Sequence, residues 1–251
     1  MTTRKGKNWR KKKNGRSGYH ADWRESKSLV IAILDENGNI EKTIKPFYDA
    51  CIGKPEEFFE MLALYLIYWE IGNAKHVCIV ADGAKRIREW TKKKLLELWV
   101  SSEIITEVLD YYHAVEHLGD FIGQVKSLTQ EEKKKTIKKW KKLLWNWKID
   151  KLIEEMKQYC RGRNSKEMSK EIRYFENHKH RMNYSLFRKK WLVCWSGIVE
   201  SMIRRTTNLR LKWNGIFRKL EHAQKSLFLR SQLISWRWNV FLRNMLTLDT
   251  F

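Results

Sequence analysis

Apolar residues along this chain switch between two spacings, and the switch points mark its elements. Leu29–Leu34 is an unbroken apolar run, short enough for a strand. Asp35-Glu36-Asn37-Gly38 supplies an Asn-Gly turn signal, so Ile40–Ile44 is predicted to return as the second strand of a hairpin. Pro55 and Glu56 open a predicted helix carrying Phe58, Phe59, Met61, Leu62, Tyr65, Leu66 and Trp69. Val77–Ala81 is short and wholly apolar, as expected of a strand buried on both faces. Residues 84–99 read as a helix and 104–109 as another strand. Strand, helix and strand in that order predict a right-handed crossover and a parallel pair.

From about residue 114 to 175 no strand pattern survives. Ile137, Trp140, Leu144 and Trp147 share one helical face, with Lys134, Lys138, Lys141 and Lys148 among the positions around them. That apolar stripe is expected to be core rather than a base-stacking surface. Residues 161–165 read as a loop, and 217–246 as helical again. Residues 1–27 hold ten Lys/Arg and two acids with Gly6, Gly15 and Gly18, which reads as a flexible basic arm. No internal repeat is evident.

Charge sharpens this picture. The 251 residues carry 51 Lys+Arg against 29 Asp+Glu, a formal net charge of +22. A field of that sign recruits polyanions, so nucleic acid is the leading partner class. The 13 Trp, 9 Tyr and 10 Phe are enough for a substantial core. Cys51, Cys78, Cys160 and Cys194 are scattered with no CxxC pair, which argues against a zinc ribbon or a disulfide framework. No run of about 18 apolar residues is present, so no membrane span is expected.

Three acids stand where chemistry would want them. Asp82 ends the Val77–Ala81 run and is followed by Gly83; Asp110 ends the next predicted strand. Ligands of α/β sheets bind beyond the carboxyl ends of parallel strands. Carboxylates there, beside Lys and Arg, can hold divalent metal against a phosphate backbone. Asp82-Gly83 is equally a common turn dipeptide. Glu200 heads a basic helix with Arg204, Arg205, Arg210 and Lys212, whose density suits phosphate contacts. Trp213, Trp236 and Trp238 interleave with cations, compatible with stacking or with packing. His113-Ala114-Val115-Glu116-His117 matches the His-x-x-Glu-His pattern of some zinc proteases. Its histidines then read in three ways: a hydrogen-bonded pair, support for the acidic site, or zinc ligands with Glu116 as base.

Several blocks together resemble DDE transposases of bacterial insertion sequences, a group akin to the Mutator-type transposases. They are Trp23–Lys27, Val80–Ala84, Val108–Leu118, Phe175–Tyr184, Ser196–Ser201 and Leu209–Lys212. The resemblance runs from about residue 16 to 240. It implies an α/β, ribonuclease-H-like core, with residues 28–118 as its first part. A helical insertion over 119–190 and a region of the catalytic Glu helix and basic helices over 191–251 would follow. It implies DNA cleavage and strand transfer dependent on Mg²⁺ or Mn²⁺, with Asp82 and Glu200 as catalytic metal ligands. Asp110 and His113 match a supporting Asp/Cys-x-x-His motif. The implied partners are the transposon ends and target duplex, with a homodimer as the assembly to expect. The implied location is the bacterial cytoplasm, at the nucleoid.

Two departures qualify this. The family's first catalytic Asp lies upstream of the basic arm, and no residue here matches it. Asp35 is the nearest substitute, but its context is a turn. Trp195 also replaces a small residue before Ser196-Gly197. The expectation is a core without its first strand, in a truncated transposase that is inactive alone. The other readings are a DNA-binding remnant without catalysis and an HxxEH zinc protease.

Overall fold

The computed structural model describes residues 2–11, 17–23, 25–161, 165–211 and 218–235, and of 2–11, 17–23, 210 and 218 the backbone alone. In chain order the strands and helices are β1 (Thr2–Lys11), β2 (Ser17–Trp23), β3 (Lys27–Ile31), β4 (Phe47–Cys51), α1 (Pro55–Tyr68), β5 (Val77–Ala81), α2 (Lys85–Glu97) and β6 (Ile105–Leu109). Then come α3 (Tyr111–Gly123), α4 (Gln130–Trp145), α5 (Ile149–Cys160), α6 (Lys166–His178), α7 (Tyr184–Lys189), α8 (Gly197–Ile203), α9 (Leu209–Leu211), β7 (Arg218–Lys219) and α10 (Leu220–Ile234). The class is α/β with small sheets. Among the described residues, no helix is long and apolar enough to cross a membrane.

The chain forms two compact units, residues 1–66 with 197–251, and residues 67–196. This differs from the expected boundaries at 118/119 and 190/191. The reason is a shared core. α3 runs straight through residue 118, and its Leu118, Phe121 and Ile122 pack with Trp140, Leu144, Leu152, Ile172 and Phe175 of α4, α5 and α6. The helices read as an insertion therefore belong to one core with β5 and β6.

In the first unit, β3 pairs antiparallel with β4, from Lys27↔Cys51 to Ile31↔Phe47. The predicted hairpin return at Ile40–Ile44 is corrected: Leu34 and Ile40 form only a single bridge. Asp35 Oδ1 accepts hydrogen bonds from the Asn37 and Asn39 amides, closing a tight turn in which Gly38 takes φ 74°. The ladder then moves to Phe47–Cys51, where Phe47, Ala50 and Cys51 are buried and Phe47 lies 4.1 Å from the Tyr65 ring of α1. Burial, absent at Ile40–Ile44, selects the partner strand. The segment expected to be a flexible basic arm is β1 paired antiparallel with β2, with register shifts between Arg4 and Gly6 and between Asn8 and Lys11. Ladder bonds are main-chain bonds, so a basic composition does not forbid them. Ala50, Ile52, Met202, Leu211, Ala223 and Leu227 make this unit's core with α8, α9 and α10.

In the second unit, β5 and β6 are parallel, from Val77↔Ile105 to Ala81↔Leu109, as the strand-helix-strand order predicts. β5 is half-buried throughout, a correction to burial on both faces. Cys78 and Val80 pack on the helical core, and β6 is the one described neighbour of β5. Alternation sends Val77, Ile79 and Ala81 to the other face. The α4 stripe is core as expected, with Trp140 and Leu144 fully buried. Trp140 Nε1 donates to Glu155 on α5 at 2.9 Å. Trp99, Trp147 and Trp191 each end a helix with φ near 60°. In each case the next amide reaches back five residues: Val100 to Leu95, Lys148 to Leu143 and Leu192 to Phe187. Glycine usually fills that left-handed position.

Candidate functional site

The parallel register carries two acids to adjacent strand tips. Ala81 pairs with Leu109, and the Asp110 amide donates to the Ala81 carbonyl at 2.9 Å. Asp82 and Asp110 are thus the first residues past the paired strands. Their environments differ completely. Asp82 is exposed, and its Oδ1 accepts one hydrogen bond, from the Ala84 amide at 3.0 Å. Asp110 is 3% exposed. Its Oδ1 accepts from the His113 amide, capping α3, and its Oδ2 accepts from the Ser196 amide at 2.5 Å. Tyr184 fixes the same tip by donating its hydroxyl to the Leu109 carbonyl.

α6 and the turn after it make the floor beneath Asp82-Gly83. A Cβ at Gly83 would lie 2.7 Å from Tyr174 Cε2 and 3.2 Å from His178 Nε2. This close approach explains the glycine after Asp82. The Tyr174 ring stacks on His117 at 3.6 Å, and His117 Nδ1 bonds Glu171 Oε2 at 2.5 Å. Arg181 Nη2 donates to His178 Nδ1 at 2.6 Å, so His178 is a neutral imidazole with its proton on Nε2. Burial, together with Arg181 and Arg88, pushes the His178 pKa down to about 4. Burial lowers His180 as well, again with Arg181, and raises the Tyr174 phenol above its ordinary value. Arg181 is 1% exposed, its Nε has no partner, and no carboxylate lies within ion-pair reach among the described residues. Burial lowers its pKa from the ordinary arginine value.

His113 and His117 do face each other, with ring centroids 4.9 Å apart. His113 Nδ1 bonds Glu116 at 3.2 Å, while His117 is held by Glu171 and Tyr174. Among the described residues no three His, Cys, Asp or Glu side chains are grouped to hold a metal ion. Asp82 and Glu200, the implied ligands of Mg²⁺ or Mn²⁺, lie in different units.

The second unit thus brings Asp82, Asp110 and His113 together. Glu200 belongs to the first unit, exposed in the first turn of α8. Arg204 and Arg205 follow it, exposed on a wide π turn over Arg204–Asn208, where Thr206 donates to the Met202 carbonyl. Arg210 lies in α9, with its side chain outside the described set. Lys212, Trp213, Trp236 and Trp238 lie outside the described residues. Asp35 is committed to its turn, and the Asn39 amide bond holds its carboxyl below the usual range. Glu171, Tyr174, His178 and Arg181 were given no role from sequence, although His178 and Arg181 lie in the Phe175–Tyr184 block. The first three fall at i, i+3 and i+7 of α6, a one-face spacing that could have revealed them. Asp49 is a further buried carboxylate, in the first unit; it accepts from the Ala50 amide and from the Tyr65 hydroxyl.

Comparison of the chain with protein-family models, curated proteins and solved structures finds no match.

Proposed function

We propose that this protein acts on duplex DNA in the manner of a DDE transposase, with Asp82 and Glu200 as two of its catalytic acids. The observation that carries the proposal is the exposed Asp82 carboxylate, at the tip of a parallel strand pair in a chain of net charge +22. In α/β sheets such tips receive ligands, and a basic chain brings polyanions to them. Asp110 supports the reading as a scaffold acid, since both its oxygens are taken by backbone amides. A ribonuclease-H-like core fits the parallel β5–β6 pair, and Arg204 and Arg205 are the phosphate contacts. A second reading, DNA binding without cleavage, is favoured by the lack of a grouped metal-ligand set among the described residues.

Duplex binding measured against salt is the test. Neutralising six to ten phosphates predicts a loss of roughly 10³–10⁵ in affinity between 50 and 200 mM salt. Arg204→Ala and Arg205→Ala should weaken binding to all sequences alike. Salt-independent binding contradicts both readings. Mg²⁺- or Mn²⁺-dependent cleavage lost in Asp82→Asn and Glu200→Gln supports the first reading; tight binding without cleavage selects the second.

A further inference from the structure

We propose that the outer face of α4 is a second duplex-DNA surface, one that tracks the phosphate backbone toward the Asp110 tip. Lys134, Lys138, Lys141 and Lys142 are all exposed. At 100° per residue they fall within a stripe about 100° wide, its centre turned about 150° from the buried Trp140 and about 110° from the buried Leu144. None of the four has a carboxylate within ion-pair reach among the described residues. The neighbouring Lys139, by contrast, is paired with Glu155 at 2.8 Å. One acid, Glu131, lies on this face, in the first turn of the helix. Lys134 to Lys142 rises about 12 Å, the axial rise of three or four phosphates of one strand.

The stripe has a direction. Trp145, eleven residues after Lys134, continues it, and Arg188 of α7 lies 4.3 Å over the Trp145 ring. Trp145 stands 4.7 Å from Tyr111, the residue after Asp110, and 6.3 Å from Trp195. Trp195 is 45% exposed and precedes Ser196, whose amide is held by Asp110. Unpaired cations therefore lead to an aromatic cluster at the candidate site, all within residues 67–196. Cations leading to an exposed tryptophan, Trp195, suit nucleic acid.

This proposal rests on the DNA reading above, and one titration separates the two. Wild type and Lys134→Gln/Lys138→Gln/Lys141→Gln are titrated with a random-sequence duplex across salt concentrations, with Arg204→Gln/Arg205→Gln alongside. Glutamine keeps helix propensity close to that of lysine, and circular dichroism verifies α4. The lysine variant should flatten the salt slope by about 2.7, at about 0.9 per phosphate contact, and weaken binding more than tenfold near 0.1 M salt. An unchanged slope in a folded variant, with wild type and the arginine variant behaving as proposed, overturns the α4 surface alone. No duplex binding by wild type overturns both. A slope loss seen with heparin but not with duplex also overturns the α4 proposal.

Discussion

The tips of β5 and β6 are matched in register and opposite in character. Each strand ends in an aspartate, Asp82 or Asp110, beside the other. Asp110 is buried, with one oxygen on the amide that starts α3 and the other on Ser196. Asp82 is exposed and holds a single local amide. A carboxylate at a strand tip thus has two uses. One that spends both oxygens on the main chain joins segments distant in sequence; one that keeps an oxygen free is available to a ligand.

Removing the buried acid should cost the most. Asp110→Ala loses a helix cap and leaves the Ser196 amide without its acceptor. We expect a destabilisation of about 2–4 kcal/mol in urea unfolding. A loss no larger than that of an exposed-site substitution would remove Asp110's structural role. The next effect concerns the floor under Asp82. Gly83→Ala drives a Cβ against Tyr174 and should cost about 1–3 kcal/mol, since the Tyr174 ring is already stacked on His117. An unchanged melting temperature would show that the loop stands free of α6.

Acid should undo the same floor. The folded-state pKa of His178 lies below its unfolded value, so the unfolded chain binds more protons at low pH. The stability it contributes is complete above about pH 6.5 and is lost as pH falls toward about 4. His178→Gln should flatten the melting-temperature profile in that window; an unaltered profile would exclude His178 as the titrating group. Smaller still is a control far from chemistry. Trp99 is 94% exposed at φ 62°, so Trp99→Gly should stabilise by about 1 kcal/mol, read by thermal unfolding.

Much of this contrast was legible in the chain and some was not. The apolar runs at Val77–Ala81 and 104–109, with a helical stretch between, announced a parallel pair and put Asp82 and Asp110 at its ends. Period 3.6 at Ile137, Trp140 and Leu144 announced the core face of α4. The hairpin partner was missed because Ile40 and Phe47 are alike apolar, and only packing on Tyr65 distinguishes them. The β1–β2 ladder was missed because main-chain pairing leaves little trace in a lysine-rich composition. The spacing of Glu171, Tyr174 and His178 marks one face of α6, but that this face forms a floor depends on α6 lying against α3, a long-range contact.

In the proposed reading Asp82 meets DNA while Asp110 holds the scaffold. Metal-free duplex binding by Asp82→Asn and Asp110→Asn, compared with wild type at one salt concentration, tests it most directly. A carboxylate facing phosphates repels them, so neutralising Asp82 should tighten binding several-fold, whereas neutralising Asp110 should bring no such gain. Unchanged affinity in Asp82→Asn, or tightening only in Asp110→Asn, would contradict the assignment.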